Sequence, residues 1–359
     1  MKAAPSTEST VPPRLRVVAW PATTGGANPY IDQLTESLRR AGVHVDPFEP
    51  GRILAGRYDV WHVHWPDGGA LRAGTAASVA GTAAVLALVA LARLRGIKVV
   101  WTAHNVQEHD RRHPRLSRLF WRSFLAQVDG IIALTSEGVR RVHEEWPVTR
   151  RIPWFVVPHG HYREAYPAPP AREVARSEWG VPAEAAVAVF VGVIRPYKNV
   201  GALIEAFRSD VLPRERALLV GGRPRSEALG DELAALAAGA DDVQLHLRFL
   251  SEAEVSSIVG AGDLVVLPYA AVLNSGTALL ALSLDTPVLV PHTGAMPELQ
   301  AAVGEAWVRM YQGPFTAQVL ADALVWAREP RPARCGLERF GWARVGEETV
   351  QAYEAVLSR

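Results

Sequence analysis

Short runs of β-branched and other apolar residues alternate with stretches of helical period along almost the whole chain. In the first half the apolar runs are LRVVAW (15–20), VHVDPF (43–48), DVWHVHW (59–65), KVVWTAH (98–104), GIIALT (130–135) and WFVVPHG (154–160). Helical stretches lie between them at about 30–41, 72–95, 114–127 and 136–145. Most of these runs are apolar on both faces, the pattern of parallel strands covered by helices on both sides. Residues 161–182 hold four prolines and no strong period, and read as a linker. The alternation restarts with AVAVFVGVI (186–194), ALLVGG (217–222), VQLHLRFL (243–250), DLVVLPY (263–269) and PVLVPH (287–292). Helices are predicted near 199–208, 226–238 and 277–284, and Ser251 with Glu254 forms a capping-box signature for one ending near 261. The pattern predicts two doubly wound α/β domains, 14–160 and 183–338, followed by a last helix within 339–359.

Length and composition agree with two domains: 359 residues exceed one ordinary core. Thirty-eight Lys and Arg against 37 Asp and Glu leave a formal charge of +1, which gives no electrostatic footprint for nucleic acid. The single cysteine, Cys335, excludes an intramolecular disulfide or a thiolate metal cluster and points to a cytoplasmic protein. Residues 1–13 are polar and proline-rich without an apolar signal core, and read as a disordered leader. Between Arg72 and Arg93 no residue is charged, a run long enough to span a bilayer. Gly74, Thr75, Ser78, Gly81 and Thr82 dilute it, so the reading is a buried helix or one that touches a membrane surface.

Ligands of doubly wound sheets bind beyond the carboxyl ends of the strands, so the residues just after each strand carry the candidate chemistry. After the first strand, Gly25 and Gly26 precede a helix and allow close backbone approach. The third strand carries His62 and His64 on one face, in a pattern that equally suits buried core histidines. The fourth ends in His104, followed by Glu108 and Asp110, an imidazole with carboxylates suited to acid–base work or hydroxyl recognition. Arg111, Arg115, Arg118 and Arg122 then follow helical spacing, the usual mark of a solvated face and also a fit for anionic lipid or a pyrophosphate-linked acceptor. In the second half, Gly192, Arg195 and Lys198 leave a strand just before a helix, which is the make-up of a diphosphate site. Asn274, Ser275, Gly276 and Thr277 open another helix, and Glu298 follows the next strand. His159 and Gly160 end the sixth strand.

Taken in order, the glycine pair 25–26, HVH (62–64), TAHN (102–105), VPHG (157–160), VGVIRPYKN (191–199) and SGTALLALSLDTPVLVP (275–291) resemble the GT-B superfamily of nucleotide-sugar-dependent glycosyltransferases, in its group 1 branch. The resemblance spans residues 14–359. It implies two Rossmann-like domains facing across a cleft and a last helix that crosses back to the first domain. The N-terminal domain would bind acceptor, with Gly25, Gly26, His64, His159 and Gly160 lining the cleft. The C-terminal domain would bind a UDP- or GDP-linked sugar through Gly192, Arg195, Lys198, Asn274, Ser275, Gly276, Thr277 and Glu298, without cofactor or metal. By the same resemblance His104 approaches the donor sugar, with Glu108 or Asp110 beside it. The paired glutamates of many retaining members are absent, and leucines (Leu273, Leu280) stand there instead, so both stereochemical outcomes stay open. The implied reaction moves a hexose to a hydroxyl of a saccharide, a lipid-linked saccharide or a secondary metabolite, in the cytoplasm or peripherally at the inner face of the membrane. A hydrolysing nucleotide-sugar epimerase and a non-catalytic nucleotide-sugar-binding subunit are the alternatives.

Overall fold

The computed structural model describes residues 14–25, 29–72, 74–104 and 113–359. The expected site residues Gly26, Glu108 and Asp110 lie outside them, as does Arg111. The chain divides into two compact units. The first comprises residues up to Leu134, Val139–Gly160 and Trp342–Arg359; the second comprises Thr135–Gly138 and His161–Gly341.

The first unit is built on a parallel six-stranded sheet. Its strands are β1 (Leu15–Trp20), β2 (Val43–Pro47), β3 (Val60–Val63), β4 (Lys98–Ala103), β5 (Gly130–Ala133) and β6 (Trp154–Val156). Their order is β2-β1-β3-β4-β5-β6, so the direction of winding reverses between β1 and β3. Alternation along β1 sends Val17 and Ala19 into one apolar layer and Val18 into the other. One layer packs under the helices Pro29–Arg40 and Trp342–Leu357; the other is covered by Thr75–Leu94 and Pro114–Leu125.

Thr75–Leu94 is long and apolar enough to cross a membrane. It nevertheless turns Val85, Val89 and Ala92 into the core, while its alanine-rich opposite face and Val79 stay exposed.

The second unit repeats the architecture with β7 (Ala186–Val191), β8 (Arg216–Gly221), β9 (Val243–His246), β10 (Leu264–Val266), β11 (Val288–Pro291) and β12 (Val308–Tyr311). The parallel order is β12-β11-β10-β7-β8-β9, with its reversal between β7 and β10. Every residue of β7 is buried, as a central strand covered on both faces requires.

Residues 161–182 are not a free linker, because their side chains are fastened into the second unit. Arg163 donates to Asp285 at 2.7 Å and to the Cys335 carbonyl at 2.8 Å. The helix Arg172–Glu178 turns the buried Arg176 onto Asp263 at 3.1 Å. The prolines shape this segment without detaching it.

Candidate functional site

In the first unit the histidines converge at the carboxyl ends of β3 and β4. His62 is buried and satisfied at both nitrogens: Nε2 lies 2.7 Å from Thr102 Oγ1 and Nδ1 lies 2.7 Å from Tyr353 Oη. It is a structural core residue. His64, also buried, places Nδ1 2.9 Å from His104 Nε2. Trp65 stacks on the His104 ring with centroids 4.5 Å apart, and Tyr30 meets that ring edge-on at 5.2 Å. His159 packs on Tyr30 at 4.4 Å and donates from Nδ1 to the Gly160 carbonyl at 2.7 Å.

Burial keeps these imidazoles neutral: His62 is pushed down to about 3 and His159 to about 4. His64 and His104 are held well below the usual histidine range by burial, and next by the neighbouring histidines. The structure therefore brings together His64, His104 and His159. Gly160 serves packing, since a Cβ there would sit 2.3 Å from the Trp342 ring. Gly25 adopts a left-handed conformation (φ 61°), and among the described residues nothing lies within 4 Å of where a Cβ would stand.

In the second unit the expected diphosphate residues meet at the reversal between β7 and β10. Gly192 has φ 112°, and a Cβ there would lie 3.3 Å from Thr277 Oγ1 and 3.6 Å from Lys198 Nζ. Only glycine leaves this cradle open. The Lys198 ammonium is buried between the rings of Phe190 (5.8 Å) and Tyr269 (5.6 Å). Among the described residues no carboxylate comes within ion-pair reach of it. Burial, then the charge of Arg195, lowers its pKa to about 8. An ammonium so placed calls for an anion. Arg195 is half-buried and likewise has no carboxylate partner among the described residues.

The helix Gly276–Ser283 points its amino end here. Ser275 Oγ accepts from the Ala278 N–H at 3.1 Å, so Ser275 caps the helix, and Tyr269 is hydrogen-bonded to both Ser275 and Thr277. Gly276 is required by Tyr162, whose hydroxyl would lie 2.9 Å from a Cβ. Asn274 immediately precedes the cap. Glu298 is engaged elsewhere: its oxygens accept the Ser136 and Glu137 N–H groups at 3.0 and 2.8 Å, capping the helix Ser136–Glu145.

Tyr269, Trp65 and Tyr353 were not legible as parts of these clusters. Tyr269 ends an LPY run that reads as a strand terminus, and Tyr353 is 291 residues from its partner.

A family model described as "Glycosyl transferases group 1" matches residues 185–326, the core of the second unit. Over 99% of this chain and 96% of its own length, GDP-mannose:glycolipid 4-beta-D-mannosyltransferase of Xanthomonas campestris pv. campestris is 32% identical. Sucrose-phosphate synthase from Thermosynechococcus elongatus superposes with a TM-score of 0.71 at 19% identity, covering 96% of this chain and all of that one. Anabaena HepE in complex with UDP-glucose superposes with a TM-score of 0.65 at 14% identity, over 96% of this chain and 99% of that one. The chain thus belongs to the group 1 glycosyltransferases, as a nucleotide-sugar-dependent hexosyltransferase of GT-B fold.

Proposed function

We propose that the enzyme transfers mannose from GDP-mannose to a hydroxyl of a lipid-linked saccharide, with inversion at the anomeric carbon. The observation that carries this reading is the buried, carboxylate-free Lys198 beside Gly192 and the amino end of Gly276–Ser283, in a chain related along its whole length to a GDP-mannose:glycolipid 4-beta-D-mannosyltransferase. Lys198, Arg195 and the first N–H groups of that helix would neutralise the charge that grows on the departing GDP, with no metal needed for it. GDP-mannose carries its sugar in α linkage, so a β product requires inversion. The leucine at 280, where many retaining relatives have glutamate, favours the same outcome. His104, held by His64 and Trp65, would orient the sugar.

The exposed alanine face of Thr75–Leu94 and the exposed Arg115, Arg118 and Arg122 suit a peripheral contact with an anionic membrane, where a lipid-linked acceptor resides.

The test is a donor panel of GDP-mannose, UDP-glucose and UDP-N-acetylglucosamine with a membrane lipid extract, followed by labelled sugar in the organic phase and by NMR of the new linkage. Transfer from GDP-mannose with a β linkage, insensitive to EDTA, is the expected result. Exclusive use of a UDP-sugar, or an α linkage, defeats the reading.

A further inference from the structure

Inversion by direct attack needs a group that takes the acceptor's proton. Most of the described carboxylates of the first unit are already engaged. Asp32 is held by Thr23 and by the Thr24 N–H, at 2.6 and 3.0 Å, and Asp46 is paired with Arg52 at 2.8 Å. Asp59 and Asp129 stand at the amino ends of β3 and β5, away from the carboxyl ends where the histidines gather, and accept strand amides at 2.7 and 2.8 Å. The glutamates are bound to arginines on the surface, apart from the exposed Glu145.

One carboxylate differs. Asp67 is half-buried and meets no arginine, lysine or side-chain hydroxyl among the described residues; its own N–H and that of Gly68 donate to it. Burial raises its pKa, and those backbone bonds only partly offset the effect. The cost of half-burying a charge without a cation calls for a use.

Its place in the fold supplies one. The segment from His64 to Asp67 leaves β3 at the point where the winding of the sheet reverses, the position at which doubly wound sheets bind ligands. The His64 N–H bonds the Trp20 carbonyl at 3.0 Å, fixing this segment to the end of β1. Two residues before Asp67, Trp65 stacks on His104. Two residues after it, Gly69 leaves room for the Trp20 ring, which a Cβ would meet at 2.6 Å. Asp67 thus stands just beyond the carboxyl end of β3, two residues from the indole that covers His104.

We propose that Asp67 is the general base of the transfer. This assignment rests on the inverting reading given above. The acceptor oxygen forms its bond to the anomeric carbon while the bond from that carbon to the diphosphate breaks, the electron pair leaving with GDP. The hydroxyl proton passes to a carboxylate oxygen of Asp67, which returns it to solvent after product release.

The experiment compares wild type, Asp67→Asn and Asp67→Glu for GDP release from GDP-mannose with a membrane lipid extract as acceptor. Calorimetric GDP-mannose affinity and melting temperature are measured alongside. Asp67→Asn should lower kcat by about a hundredfold or more, with the GDP-mannose dissociation constant within twofold of wild type and the fold intact. Asp67→Glu should retain part of the rate, and sodium formate should restore part of it to Asp67→Asn. Turnover of Asp67→Asn within threefold of wild type overturns the assignment. So does a loss of rate that formate leaves unchanged and that comes with an equal loss of donor affinity, since that pattern marks a structural aspartate. A wild type inert with GDP-mannose but active with UDP-glucose defeats the donor reading alone, and the same variants are then compared on UDP-glucose; a wild type that turns over neither defeats both.

Discussion

His64 Nδ1 and His104 Nε2 lie 2.9 Å apart, so of two imidazoles kept neutral by burial one donates its N–H to the bare nitrogen of the other. The arrangement fixes the His104 ring from its edge while Trp65 fixes its face. His104→Ala should therefore lower turnover by about a hundredfold with little change in GDP affinity. His64→Ala should lower both turnover and stability, because it strands a buried nitrogen, at about 1–3 kcal/mol. Steady-state kinetics and urea unfolding of the two variants separate these effects. Near-normal turnover in His104→Ala would reduce it to a loop residue.

Lys198 gives a prediction about protons. Its pKa, lowered to about 8, should rise when a diphosphate arrives, so binding takes up a proton near pH 8. GDP affinity should fall as pH rises through 8. Titration calorimetry in buffers of different ionisation enthalpy reads the uptake directly, and Lys198→Met should abolish it. Arg195→Ala should weaken GDP by about tenfold, the cost of one charge-assisted bond at about 1.5–3 kcal/mol. Unchanged affinity would remove Arg195 from the donor site.

The buried imidazoles set a pH limit on the fold. His62 titrates near 3 in the folded chain against 6.5 for an ordinary histidine. Between those values the unfolded chain holds a proton that the folded chain excludes. Stability is therefore complete above about pH 6.5 and is lost as pH falls, by about 1.4 kcal/mol per pH unit for this one group. Urea midpoints should drop between pH 7 and 5, and a flat profile would contradict the burial.

Much of this architecture was readable because buried parallel strands are written as near-continuous apolar runs. The helix at 136–145 was legible to the residue, whereas the run at 186–194 overran its strand by three residues. β12 was not: it is a four-residue edge strand, and Arg309 and Met310 interrupt its apolar pattern. The helix Ala317–Trp326 was also missed, in a stretch without a start signal beyond its Thr316 cap. At the candidate site, strand ends pointed to His104, Lys198 and Gly192, each of which lies in one of the two clusters described above. Local sequence could not show that Glu298 is engaged by a helix amino end or that Ser275 faces its own helix, because both depend on where a side chain finds its nearest donor.

Ser275→Ala should cost about 1 kcal/mol of stability as a lost helix cap, and also disturb Tyr269, with which it is hydrogen-bonded. A melting-temperature shift with little change in GDP affinity is the expected outcome. A severalfold loss of GDP affinity at unchanged stability would instead make Ser275 a donor ligand.

The tyrosine that completes His62 arrives last. Tyr353 follows His62 by 291 residues, and the whole of His161–Gly341 is interposed between Gly160 and the Trp342 that covers it. At a synthesis rate of about 5–20 residues per second, the ribosome delivers the tyrosine roughly 15–60 s after the histidine. Once Tyr311 has been made the second unit has all six of its strands, while the layer over Val17, Ala19 and His62 still lacks the helix Trp342–Leu357. The later-made half can therefore complete its sheet before the earlier-made half receives the helix that closes its second layer.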